Sequence, residues 1–267
     1  MSRSAAMTDL PDLASASEIA ALSAARATHW RPGLGQASHS EVFAESRDAS
    51  GGGLALALAL DELRAEQHGP LCESEDRRAV LWVQDRASVR LTGRPYRPGL
   101  PRELRHRVIH VVAEKTEDAL FALEEGLRCR DLAFVLGEIA GNPKALDFTA
   151  SRRLSLAAEK HGVQLWLVRL DAGRDLSSAR MRWEVRPSPS PAPEWNAQAP
   201  GTPHWRAELF RARRHAPGEW IVSDDGQTLV AAKPSDRIGA NDTGPDARQA
   251  HPVDLAGTAG DRSLAAR

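Results

Sequence analysis

Apolar residues are distributed along this chain in two distinct patterns. Val80 to Gln84, Val108 to Val112 and Leu132 to Leu136 are short runs of β-branched and aromatic residues without alternating polarity, which predicts strands covered on both faces. Between the last two of these, Leu120, Leu123 and Leu127 recur at helical spacing within Glu117 to Arg128. Thr116 stands as N-cap and Glu117 and Asp118 fill the first turn, so a helix is predicted there. Residues Ala150 to His161 repeat the design with Ala150, Leu154, Ala157 and Ala158, and Gly162 follows as a stop. Val163 to Leu170 is again an apolar strand. Upstream, Ser40 to Ala44 reads as a short strand, and Glu45 to Gly53 as a polar, glycine-rich connection. In Leu54 to Gln67 leucines alternate with alanines. Its length and alanine content predict a helix, buried on most sides. The alternation of strands and helices from Val108 onward is the signature of a parallel sheet with helical crossovers, an α/β fold.

The pattern changes after Leu170. Arg180 to Arg186, His204 to Arg213 and Glu219 to Ser223 are strand-like with no intervening helical period, which predicts an antiparallel extension of the sheet. Pro187 to Pro203 holds six prolines in 17 residues and should be an exposed loop. At the N-terminus, Leu10, Leu13, Ile19 and Leu22 suit one amphipathic helical segment within 1–30. Beyond Ser223 large apolar residues are scarce. Residues 224–267 therefore read as a disordered tail, allowing a brief strand at Thr228 to Ala231. The expected organisation is a helical segment (1–30), one domain (31–223) and a tail.

Composition adds constraints. A 42% hydrophobic content over 267 residues fills one substantial core. The formal net charge is -1, from 35 basic and 36 acidic residues, so no global field draws the chain to nucleic acid or an anionic membrane, and any DNA contact must be local. Only four basic residues are lysines. The arginine excess reflects either bidentate interface chemistry or GC-rich coding. Cys72 and Cys129 are far apart and have no Cys or His partner at zinc-site spacing, which argues against a metal site or disulfide scaffold. Met1 to Leu10 lacks a signal pattern and Leu54 to Leu60 is too short to span a bilayer. The expected location is the cytoplasm.

Candidate chemistry is mostly missing. A phosphate-binding loop needs G-x-x-x-x-G-K-[ST] after the first strand, where this chain has Glu-Ser-Arg-Asp-Ala-Ser-Gly-Gly-Gly, with carboxylates at Glu45 and Asp48. Gly51 to Gly53 alone are a weak case for an anion nest. Glu138, after the Leu132 strand, is either a relic of a magnesium-assisting acid or a solvated carboxylate at a strand end. His106 and His110 straddle a loop and a strand and do not form a helical ligand pair. The reading is therefore of no catalytic residue, no cofactor and no metal. Trp183, Trp205 and Trp220 interleave with arginines. They are either sheet core or interface residues. The strand end at Arg211, Arg213 and Arg214 is the candidate protein contact.

Several segments resemble the ImuA family, and in that family's order. They are Ser40 to Ala44, Val80 to Val83, Pro95 to Leu100, Asp118 to Arg128, Leu146 to Ala158, and the pair Trp183-Val185 and Pro203-Trp205-Arg206-Glu208-Leu209 around the proline-rich loop. The most specific is Leu-Asp-Phe-Thr-Ala-Ser-Arg-Arg-Leu-Ser-Leu-Ala-Ala, at Leu146 to Ala158. The resemblance covers roughly residues 31 to 223, as judged from motif order. It implies a RecA-like three-layer sandwich with a degenerate phosphate loop, and a non-catalytic accessory role in SOS translesion synthesis and mutagenesis. The implied partners are RecA and/or an ImuB-like Y-family polymerase homologue and an error-prone C-family DNA polymerase. Two other readings stay open: a SulA-like cell-division inhibitor of the SOS response, and a RecA-like ATPase. The missing Lys-Ser/Thr pair argues against the ATPase, and the Leu146 to Ala158 segment against the division inhibitor.

Overall fold

The computed structural model describes residues 32, 38–67, 76–226 and 228–234. The helical segment expected within 1–30 and the tail beyond 234 lie outside the described residues. The strands are β1 (His39–Ala44), β2 (Ala79–Asp85), β3 (Val108–Ala113), β4 (Leu132–Ala140), β5 (Gln164–Leu170), β6 (Met181–Pro187), β7 (His204–Ala212), β8 (Gly218–Asp224) and β9 (Leu229–Ala232). The helices are α1 (Ser50–Gln67), α2 (Arg86–Thr92), α3 (Thr116–Arg128) and α4 (Phe148–His161). One sheet runs β3-β2-β4-β5-β1-β6-β7-β8-β9. It is parallel from β3 to β6 and antiparallel from β6 to β9.

Strand alternation divides the core in two. Val42, Trp82, Leu136, Trp166, Val168 and Trp183 form one cluster with α1. Leu81, Val83, Val135, Ile139, Leu165 and Leu167 form the other with α3 and α4. The result is a three-layer α/β sandwich with β2, β4 and β5 at its centre, where apolar runs without alternation are covered on both faces. β3 departs from that expectation. Among the described residues it is an edge strand paired only to β2, and Ile109 is 50% exposed.

Several boundaries were set by packing. α1 starts at Ser50 rather than Leu54, taking the glycines into its first turn. A Cβ on Gly51 would stand 2.7 Å from Val168 Cγ1 and 2.8 Å from Ala44 Cβ, and one on Gly53 2.8 Å from the Trp205 ring. Gly51 and Gly53 thus let the helix lie directly on the sheet. α4 is capped by Asp147, whose carboxylate accepts from the Ala150 amide at 2.7 Å, and ends at Gly162 in the left-handed region. In α3 Lys115 holds the N-cap position without a side-chain bond, while the Thr116 hydroxyl donates instead to Asp85 Oδ2 at 3.2 Å. The short helix α2, capped by Asp85, had no apolar periodicity to announce it.

The C-terminal strands are only partly as expected. The first of the three strand-like runs, β6, lies parallel to β1, reached by an irregular crossover after β5, and antiparallel order begins only at β7. Trp183, Trp205 and Trp220 are buried in the α1-side cluster, whereas Arg206 is exposed. The sheet also continues past Ser223, where the domain was expected to end. β9 pairs with β8 and buries Leu229 in the core cluster. One large apolar residue, anchored by ladder hydrogen bonds, suffices there.

Candidate functional site

Strands β1, β2 and β4 deliver their C-terminal ends to the place where a nucleotide would sit in a phosphate-loop protein. Here the chain after β1 turns through Ser46, whose amide donates to Asp171 Oδ1 at 2.8 Å, and Asp48, whose carboxylate accepts from the Ser50 amide at 2.8 Å. Beside it lies a cavity of about 200 Å³ lined by Asp48, Gly52, Trp82, Thr92, Arg94 and Glu138, among others. No lysine lines it.

Glu138 dominates this cavity, and it is neither at a strand end nor solvated. It lies within β4 and is buried. Trp82 Nε1 donates to Oε1 at 2.9 Å, and Gln84 Nε2 and Thr92 Oγ1 donate to Oε2 at 3.0 and 3.1 Å. His110 Nε2 pairs with Gln84 Oε1 at 2.8 Å behind them. Burial pushes the Glu138 carboxyl above its usual range, while its three donors pull the other way. This carboxylate ties β2, β4 and α2 together. Asp48 and Arg94 also line the cavity, so it holds a second carboxylate and one guanidinium.

A second polar cluster was not anticipated. On the α4 face of β1, the buried Glu41 accepts from Arg182 Nε at 2.7 Å and from the Ser177 hydroxyl at 2.7 Å, with Arg169 Nη1 at 3.8 Å. Phe43 lies under both guanidinium groups, 5.6 Å from Arg169 and 4.9 Å from Arg182. His39 Nδ1 pairs with the Ser155 hydroxyl at 2.7 Å. Burial lowers the His39 imidazole to about 4, opposed by Glu41 and reinforced by Arg182, Arg169 and Arg180. The one available sign was Arg169 within the apolar run of β5.

Of the proposed contact residues, Arg211 lies one residue before the end of β7, opposite Arg182, and Arg213 and Arg214 occupy the following turn, exposed. The Arg213 amide donates to Arg180 O at 3.2 Å. None of the three lines the Glu138 cavity. Among the described residues no cluster of His, Cys, Asp or Glu could hold a metal ion, and no helix is long and apolar enough to cross a membrane.

A mostly parallel sheet between helical layers, extended by antiparallel strands, is the architecture of a RecA-like α/β sandwich. No family model matches the chain. Protein ImuA of Caulobacter vibrioides, from two strains, is 36% identical over 160 residues, which is 54% of this chain and 59% of the relative. The chain thus spans under two thirds of the length of the curated relatives it matches. Over the matched residues the chain is similar to Protein ImuA, which supports an ImuA family assignment.

Proposed function

We propose that this chain is a non-catalytic accessory protein of damage-induced translesion DNA synthesis and mutagenesis. It acts in the cytoplasm through contacts with RecA and/or an ImuB-like polymerase homologue that serves an error-prone C-family polymerase. The observation that carries the reading is the acidic substitution of the nucleotide position. After β1, Asp48 lines the cavity and packed glycines open α1 where a lysine and a magnesium-binding hydroxyl would be required. A fold that retains its sheet without that loop has its surfaces left to work with. The family resemblance supplies the process and the partners. Arg211, Arg213 and Arg214 are the proposed contact, since guanidinium groups make bidentate pairs with carboxylates.

Two measurements test this. A ligand at a hundred times its dissociation constant adds about 2.7 kcal/mol of stability, so ATP-dependent or ADP-dependent elevation of the melting temperature contradicts the non-catalytic reading. Separate pull-downs with RecA and with ImuB should each be compared between wild type and R211A/R213A/R214A. No capture of either partner by wild type overturns the accessory role.

A further inference from the structure

The most specific stretch of the sequence, Leu146 to Ala158, has no part in the Glu138 cavity. It forms α4, and the outer face of this helix carries Phe148, Arg152 and Leu156, four residues apart and so stacked in one line. Phe148 is 47% and Leu156 52% exposed, in a helix whose inner face is well packed. This line forms one wall of a groove of about 400 Å³, and Arg180, Arg211 and Arg213 form the other.

The groove floor is hydrogen-bonded throughout. The Ser151 hydroxyl meets those of Ser177 and Ser178 at 2.9 and 3.1 Å and accepts from the Ser178 amide at 3.0 Å. The Ser155 hydroxyl bridges Ser178, at 2.6 Å, and the buried His39. The walls are unbalanced in charge. Glu159 is the carboxylate at hand, and it is bound by Arg180. Arg152, Arg211 and Arg213 have no ion-pair partner among the described residues. Three guanidinium groups without counter-charge, next to two exposed large apolar side chains, face one concavity.

We propose that this groove binds an acidic segment of a partner protein carrying large apolar side chains, with carboxylates on Arg152, Arg211 and Arg213 and an apolar anchor against Phe148 and Leu156. This rests on the reading that the chain works through protein contacts, and gives one contact a place and a chemistry. Arginine forks match carboxylates in pairs, and a pocket of this size holds a few side chains. Nucleic acid fits less well. A strand needs a track of cations along successive phosphates and stacking faces, whereas here the cations are clustered and Leu156 offers no stacking face.

The test is selection of a random dodecapeptide phage library on the full chain, followed by fluorescence anisotropy with the best peptide and with an oligothymidylate. Enrichment of Asp- and Glu-rich peptides with Leu, Ile, Phe or Trp is expected. Affinity should fall by at least about tenfold in R152E/R211E/R213E, and likewise in F148S/L156S, equivalent to about 1.4 kcal/mol each. Both variants should melt as wild type, because every altered side chain is exposed. No enrichment, enrichment of basic or neutral peptides, or unchanged affinity in both folded variants overturns the proposal. So does oligothymidylate binding more tightly than the best peptide. If peptides are selected but neither RecA nor ImuB is captured, the groove stands and the accessory role falls. If both are captured equally by R152E/R211E/R213E, the role stands and the groove falls.

Discussion

His39 should make this protein acid-sensitive in a defined window. Its side chain is fully buried at the start of β1, with one ring nitrogen on Ser155 and the other without a partner among the described residues. Removal from water outweighs the attraction of Glu41, and the nearby Arg182, Arg169 and Arg180 add to it, so the imidazole titrates at about 4 instead of 6.5. Between these values the unfolded chain binds a proton that the folded one refuses, so stability falls as pH falls. The contribution is complete above pH 6.5 and lost by about pH 4. At ~1.36 kcal/mol per unit, the whole window is worth about 3 kcal/mol. Glu138 shifts upward, so its contribution has the opposite sign, fading as pH rises through its raised value. Denaturant unfolding of wild type and H39Q, at several values from about pH 7.5 to about pH 4.5, separates the two effects because Glu138 is common to both proteins. Gln can still pair with Ser155 but cannot take up a proton. H39Q should therefore gain on wild type by about 3 kcal/mol across the window. Parallel stability profiles for the two proteins would refute the assignment.

Three further outcomes are expected. G51A should lower stability by about 1–3 kcal/mol in denaturant unfolding, because the new methyl meets the stiff Val168 and the backbone-fixed Ala44; a neutral or stabilising result would mean that α1 does not need its close approach. L229A should cost about 2–5 kcal/mol, and ending the chain after Ser223 should lower the melting temperature as well, since β9 closes the α1-side core; unchanged melting in both would place the end of the domain at Ser223. E138A should cost about 1–3 kcal/mol by stranding the donors of Trp82 and Gln84, whereas an unchanged unfolding midpoint would mean that water replaces the carboxylate freely.

The sequence by itself determined the repeating units of this protein. The apolar runs at Val80, Leu132 and Val163 and the helical stripes at Leu120 and Leu154 are local periodicities, and a parallel sheet with helical crossovers is their ordinary consequence. The absence of a Lys-Ser/Thr pair after β1 was likewise visible, because that motif is contiguous. Tertiary structure decided everything that depends on which distant residues meet. It turned Gly51 and Gly53 from part of a possible anion nest into a packing device, since only the approach of Val168, Ala44 and Trp205 makes a side chain intolerable there. It placed Glu138 inside β4, where Trp82, Gln84 and Thr92 arrive from 46 to 56 residues away. It also buried Glu41 between Arg169 and Arg182, and brought Arg152 from α4 beside Arg211 and Arg213 from β7 and its following turn. Hydrophobic periodicity records only whether a position faces the interior. The partner that satisfies a buried charge, or leaves an exposed one uncompensated, is chosen by long-range strand order, and no local pattern encodes that.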